Sequence, residues 1–270
     1  MKYDPVKRRI GLVVGRRIWL RRLFYFLLDT LLLRTWHVKR AIRSFAQERG
    51  TNASILDAGS GFGQYTWRMW RMNRDWEILG VDVKQEQIDD CNSFFSRTAA
   101  SEKTSFAFAD LTTWSKEEAF DMILSVDVME HIEDDRAVFR NFYSSLKKGG
   151  QLIISTPSDK GGSDVTHDHD DSFIEEHVRD GYGVEEIKEK LSTAGFNDIS
   201  VKYTYGRPGK ISWKLSMKIP VLMLNRSWLL GIFLPFWYIL IMPFALLLNW
   251  ADSVMVHKEG TGLLVVAKKV

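Results

Sequence analysis

The sequence predicts an α/β fold with a mainly parallel sheet, and three observations carry that expectation. Apolar runs alternate with helical stretches from Ala53 onward, the pattern of right-handed strand–helix–strand units. The first run, Ile55-Leu56-Asp57-Ala58, breaks into Gly59-Ser60-Gly61-Phe62-Gly63 and passes at once into helix-forming residues. Such glycines let backbone approach a ligand closely, and the following helix N-terminus offers free N–H groups and a positive dipole. Finally, Asp57, Asp82, Asp110 and Asp127 each fall at the carboxyl end of a predicted strand, the edge where open α/β sheets bind ligands.

In chain order, Ala53–Asp57 is the first strand and Gln64–Met72 the first helix of the sheet region. Trp76–Asp82 is a strand, Lys84–Arg97 a helix, and Thr104–Ala109 a strand ending at Asp110. Phe120–Val126 is nearly all apolar, as a strand buried on both faces must be. Asp134–Leu146 is a helix, and the turn Lys147-Lys148-Gly149-Gly150 leads into a strand at Gln151–Ser155. Ser158–Ser172 is a polar loop, and Val184–Ala194 is a helix stopped by Gly195. Ile199–Tyr205 and Gly262–Lys269 complete the strands.

Charge is distributed unevenly along the 270 residues. Residues 1–50 hold 13 lysines and arginines against Asp4, Asp29 and Glu48, a net +10 on a chain whose total is +3. A basic arm on an acidic body points to nucleic acid or to an anionic membrane. The arm's intervening residues favour the membrane. Ile10, Leu12, Ile18, Trp19 and Leu23-Phe24-Tyr25-Phe26-Leu27-Leu28 make a basic, Trp-containing apolar helix of the interfacial kind. Its uncharged run is too short to span a bilayer, which takes about 20 residues. Arginines interrupt it, and no small-residue cleavage site follows, which argues against a signal peptide. The competing reading packs this helix on the body with its basic face outward. The single cysteine, Cys91, permits no intrachain disulfide and fits a reducing compartment.

A second apolar segment lies between the last two strands. Ser227–Trp250 carries no charge, although Pro235 and Pro243 are expected to break it and aromatic residues are spread throughout it. By length alone it could form a transmembrane helix. Six of the ten tryptophans (Trp19, Trp36, Trp213, Trp228, Trp237, Trp250) lie in the two apolar segments, as interfacial anchoring favours.

The ordered set Leu56-Asp57-Ala58-Gly59-Ser60-Gly61-Phe62-Gly63, Gly80-Val81-Asp82, Ala109-Asp110-Leu111, Asp127-Val128-Met129-Glu130-His131-Ile132 and Leu146-Lys147-Lys148-Gly149-Gly150 resembles the class I S-adenosylmethionine-dependent methyltransferases. The resemblance covers residues 53–205 and the final strand. It implies a Rossmann-like sheet of seven strands, the last antiparallel, with helices on both faces. It also implies S-adenosyl-L-methionine as cofactor. The turn of Asp57, Gly59, Ser60, Gly61 and Gly63 would lie against the methionine moiety, and Asp82, followed by Val83, would hold the ribose. Asp110 and Leu111 would sit beside adenine, with Asp127 flanking the cofactor. Asp82 follows Gly63 by 19 residues, the separation a ribose-gripping carboxylate needs. A nicotinamide-binding turn fits less well, since Tyr65 stands where it wants glycine. No Asn/Asp-Pro-Pro-aromatic motif of base methyltransferases follows the fourth strand, so nucleic acid is not expected as a partner.

The resemblance divides the chain into a basic helical arm (1–50), a methyltransferase core (51–206 and 261–270) and an apolar insertion (207–260). If the last two strands are antiparallel neighbours, both ends of the insertion emerge on one side of any membrane. Two full spans need about 40 residues, more than the uncharged stretch supplies. The expectation is therefore a dip into one leaflet, with residues 10–40 and 213–250 sharing one membrane surface at the cytoplasmic face. The acceptor would then be lipophilic: a prenylated phenol or quinol, as in the quinone-type O-methyltransferases the chain most resembles, an isoprenoid alcohol or a lipid head group. The alternatives are a soluble homodimer that uses the apolar segments as its interface, and a recruited cofactor-binding module without catalysis. Alignment supplies much of methyl transfer, with a base needed only for a protonated acceptor. His131 and His177 are the candidates, ahead of the His167/His169 loop. That loop could bind a divalent metal with Asp168 and Asp170, but reads better as a solvated loop, and no metal is assigned.

Overall fold

The computed structural model of the protein describes residues 17–161 and 178–270. Seven strands form one sheet in the order β3-β2-β1-β4-β5-β7-β6. They are β1 Ser54–Ala58, β2 Glu77–Asp82, β3 Thr104–Phe108, β4 Phe120–Val126, β5 Leu146–Pro157, β6 Asp198–Thr204 and β7 Gly262–Lys268. The pairs β1–β2, β1–β4, β2–β3 and β4–β5 are parallel, and β7 runs antiparallel between β5 and β6. This is the seven-stranded α/β architecture expected from the sequence. The one sizeable boundary shift is at β5, which takes in the Lys147–Gly150 stretch read as a turn.

Period-two alternation of apolar residues builds a core on each face of the sheet. Ile55, Met122, Leu124 and Ile153 point to one face and pack with Phe45, Trp67, Trp76 and Phe94. Leu56, Ile123, Leu152 and Ile154 point to the other and pack with Phe139, Phe142 and Leu191. The first face is covered by α3 (Gln64–Met72) and α4 (Gln85–Phe95), the second by α5 (Asp135–Ser145) and α6 (Val184–Ala194).

The basic arm is more integrated than an interfacial helix would be. Its described part forms α1 (Ile18–Leu31) and α2 (Leu33–Arg49), separated by an extended backbone at Leu32. Val38, Ile42 and Phe45 of α2 enter the first core, and Tyr25 of α1 stacks edge-on against Phe94. Apolar residues at helical spacing therefore went partly to the body. Trp19, Leu23 and Phe26 remain on the outer face of α1.

The insertion between β6 and β7 is a helical hairpin. One leg runs through α7 (Arg207–Trp213), a π-helical turn (Lys214–Lys218) and α8 (Ile219–Arg226). The chain reverses at Ser227, whose hydroxyl accepts from the Leu229 N–H, and returns through a 3₁₀ turn (Trp228–Phe233) and α9 (Leu234–Val254). The legs are zipped antiparallel by Trp237 Nε1 donating to the Leu215 carbonyl (3.0 Å), Tyr238 Oη to Ser216 (3.0 Å) and Ser212 Oγ to Ala245 (3.1 Å). Pro235 falls in the first turn of α9, where a missing N–H costs little. Pro243, expected to break the helix, lies inside it. Residues on both sides of it, Tyr238 and Ala245, are tied to the other leg, which holds the helix across the lost hydrogen bond.

Candidate cofactor site at the carboxyl edge of the sheet

The carboxyl ends of β1, β2, β3 and β4 bring most of the expected residues together. After β1 the chain turns through Gly59, Gly61 and Gly63 at φ +80°, +50° and +74°, all in the region that favours glycine. The turn is tied to β2: the Gly59 and Ser60 N–H groups donate to the Val81 carbonyl (2.8 and 2.9 Å). At Gly63 a Cβ would come within 2.9 Å of the Phe95 ring, so the start of α3 sits tight against α4. At Gly61 a Cβ would meet only Gln87 Oε1 at 3.7 Å, leaving the backbone open to a ligand.

Asp82 is oriented on both oxygens, Oδ2 accepting from the Gly61 N–H (3.0 Å) and Oδ1 from the Lys84 N–H (2.9 Å). The Ala109 N–H donates to the Asp82 carbonyl (3.1 Å), which brings the end of β3 and Asp110 alongside. Asp110 is exposed, and hydrogen bonds from Thr112 hold its carboxyl below the usual range. Val83 is exposed, whereas the Leu111 side chain is buried in the second core. Asp57 is 2% exposed and takes a hydrogen bond from Thr66 Oγ1 (2.6 Å). Burial pushes its carboxyl up to about 6, against the opposing pull of the Thr66 bond.

Asp127 stands at φ +52°, uncommon for a residue with a side chain, and the neighbouring Val128 side chain fills the space beside Gly59. His131 is exposed on a 3₁₀ turn, Met129–His131, that follows the carboxyl end of β4. His177 and the Thr166–Asp171 loop lie outside the described residues.

The fold adds residues that the motifs did not reveal. The Arg34 guanidinium, from the first turn of α2, pairs with Asp127. The Arg34 N–H donates to Tyr205 Oη (3.1 Å), and Tyr205 is itself at φ +56°. Of the three non-glycine residues with positive φ among the described residues, two are thus bonded to one arginine at the site. Backbone strain of this kind concentrates where surroundings over-determine a conformation, often at functional sites. From α1, Arg21 Nη2 donates to the Phe62 carbonyl (2.8 Å) and Tyr25 Oη bonds the same oxygen. An arginine inside a basic run and a tyrosine after a strand carry no motif, so only the packing of the arm exposes their role.

These features fit an adenosyl sulfonium cofactor. The turn leaves Gly61 backbone open, Asp82 is preset with lone pairs to spare, and the buried Ser60 hydroxyl has no partner among the described residues. Four acidic side chains at the same edge suit a cationic ligand.

Comparison with known proteins agrees. A methyltransferase-domain profile matches residues 50–197. Phosphoethanolamine N-methyltransferase of Triticum aestivum is 32% identical over 148 residues, covering 54% of this chain and 28% of that protein. Phosphoethanolamine N-methyltransferase 1 of Arabidopsis thaliana is 33% identical over 149 residues, covering 54% and 29%. This chain therefore spans under a third of the length of those plant relatives. Among solved structures, phosphoethanolamine N-methyltransferase 2 of Haemonchus contortus, bound to phosphomonomethylethanolamine and S-adenosylhomocysteine, aligns with TM-score 0.56 at 20% identity, covering 86% of this chain and 52% of that one. NodS of Bradyrhizobium japonicum, an N-methyltransferase bound to S-adenosylhomocysteine, aligns with TM-score 0.52 at 16% identity, covering 90% of each. At such identities the structural likeness shows the fold, and the matched profile shows the family. The chain belongs to the methyltransferase-domain family, on the class I S-adenosylmethionine-dependent fold.

Proposed function

We propose that this chain is an S-adenosylmethionine-dependent methyltransferase whose acceptor is a membrane-resident amphiphile, reached from the bilayer at the cytoplasmic face. The observation that carries the membrane part is the outer face of α9. Along its length it presents Phe236, Ile239, Leu240, Phe244, Leu247 and Trp250 to solvent, with Phe236 71% and Ile239 75% exposed. An apolar stripe of that length on a water-facing surface marks an interaction site. Of the acceptors the sequence leaves open, a prenylated phenol or quinol, an isoprenoid alcohol and a lipid head group, the last is favoured. The relatives named for phosphoethanolamine support it.

The cofactor supplies an activated methyl on sulfur; the chain supplies alignment. Asp82 would hold the ribose hydroxyls, the Gly59–Gly63 turn would cradle the amino-acid end, and Asp110 would lie beside the adenine. Arg34 and Asp127 form the polar rim on which the acceptor head is oriented, so that its nucleophilic atom lines up for in-line displacement. The candidates for accepting the proton of an ammonium or hydroxyl acceptor are the His131 imidazole and His177.

Incubation with methyl-labelled cofactor and a total lipid extract tests this reading. Label is expected in the organic phase. Label confined to water-soluble products would remove the lipid acceptor, and failure to bind S-adenosylmethionine in calorimetry would remove the enzyme. A monodisperse detergent-free dimer, with α9 at its interface, would replace the membrane reading.

A further inference from the structure

Resting on that membrane reading, we infer that the hairpin is a charge-selective anchor, lying along the surface of an anionic bilayer instead of crossing it. The charged residues from Gly206 to Ala251 are Arg207, Lys210, Lys214, Lys218 and Arg226, all cationic and all on the outgoing leg. Arg207, Lys210, Lys214 and Arg226 are exposed, and Lys218 lies over the Trp213 ring at 5.9 Å. The return leg carries the apolar stripe.

Length decides the orientation. Residues Leu229–Val254 are long and apolar enough to cross a membrane on their own. The outgoing leg zipped to them is not. Between Lys218 and Arg226 only seven uncharged residues intervene, about 10 Å of helix at 1.5 Å per residue. The hydrocarbon core is about 30 Å thick. Both roots are also fastened together, because the buried Asp252 carboxylate at the end of α9 accepts from the Gly209 N–H (2.9 Å) at the start of α7. A perpendicular hairpin would carry Lys210, Lys214 and Lys218 towards the membrane interior, where each is costly. A hairpin lying in the interface places the cations at phosphate level, with Phe236, Ile239 and Phe244 in the acyl boundary. The four exposed cations of the outgoing leg then select anionic lipid.

The test is vesicle flotation of the whole chain, comparing phosphatidylcholine with phosphatidylcholine carrying about 30% phosphatidylglycerol, a charge density typical of an anionic leaflet. The anionic vesicles should bind at least tenfold more tightly, and the difference should shrink as salt rises from about 0.05 to 0.5 M. Lys210→Gln with Lys214→Gln should lower the anionic affinity about twenty-fivefold, at about fivefold per cation, with S-adenosylhomocysteine affinity unchanged as the control for folding. A spin label on Phe236→Cys should sit about 5–10 Å below the phosphates; the native Cys91 is buried and does not compete for the label. Equal binding to both vesicles, or a label about 15 Å deep at the midplane, would overturn the inference and leave the membrane reading standing. No flotation with either vesicle would overturn both.

Discussion

Asp57 shows how one buried carboxylate makes stability depend on pH. Its folded pKa of about 6 lies above the ordinary 3.8, so between those values the folded state holds a proton that the unfolded state has lost. Its contribution to stability is full below pH 3.8 and is lost as pH rises through 6. Asp57→Asn keeps an acceptor for Thr66 and carries no charge, so it should stabilise the apo protein at pH 8 by about 3 kcal/mol, read from denaturant melts. The ionised form is the one a cationic cofactor prefers. Calorimetry should show S-adenosylmethionine affinity rising from pH 5 to 7 in the wild type and flat in Asp57→Asn; a flat wild-type profile would show that Asp57 does not sense the cofactor. Arg34 makes a complementary case. Its pair with Asp127 is partly exposed, so its direct stabilising effect is small, yet it fixes a strained residue at the site. Arg34→Gln should cost about tenfold to a hundredfold in kcat/KM with little change in Tm. A large fall in Tm with intact turnover would make Arg34 merely structural.

At the scale of elements, the hairpin is joined to the sheet by one buried carboxylate. Asp252, 0% exposed, accepts from His37 of α2 (2.9 Å), from the Tyr205 N–H (3.1 Å) after β6 and from the Gly209 N–H (2.9 Å) of α7. Asp252→Ala strands those donors in a dry site, at about 3–5 kcal/mol. It should loosen the hairpin's roots, so limited proteolysis should cut between Tyr205 and Gly209 before the sheet unfolds. Global unfolding without that early cut would show that hairpin and sheet are one cooperative unit. None of this network was legible in the sequence, because a lone aspartate at the end of an apolar helix and a histidine inside a basic arm have no periodic or motif signature. What was legible obeys local rules. The parallel strands read as apolar runs, Gly195 ended α6 at the residue expected, and the carboxyl-edge aspartates fell in phase because strand geometry puts them there. The arm was read less well: its basic residues looked solvent-facing, while Arg21 is buried on the Phe62 carbonyl and beside Asp90. Such a long-range partner is invisible to composition.

At the scale of the whole molecule, the cofactor edge and the apolar surface are built by different parts of the chain. The glycine turn and aspartates belong to the sheet edge. The apolar surface belongs to a hairpin inserted between β6 and β7, and the arm touches both, through Arg34 at Asp127 and His37 at Asp252. This division makes the two functions separable. Replacing two stripe residues, Phe236→Glu with Ile239→Glu, adds charge to a surface already facing solvent, so the fold is expected to stand. S-adenosylmethionine affinity and turnover of a short-chain, water-soluble acceptor should remain within about twofold of wild type, since neither depends on membrane seating. Turnover of the same head group carried on a vesicle-embedded lipid should fall at least tenfold, because a carboxylate held in the acyl boundary opposes insertion. Kinetics with the two acceptors side by side give the answer as a ratio. An unchanged ratio would mean that the acceptor reaches Asp127 and Arg34 from water, leaving the hairpin with no part in substrate delivery.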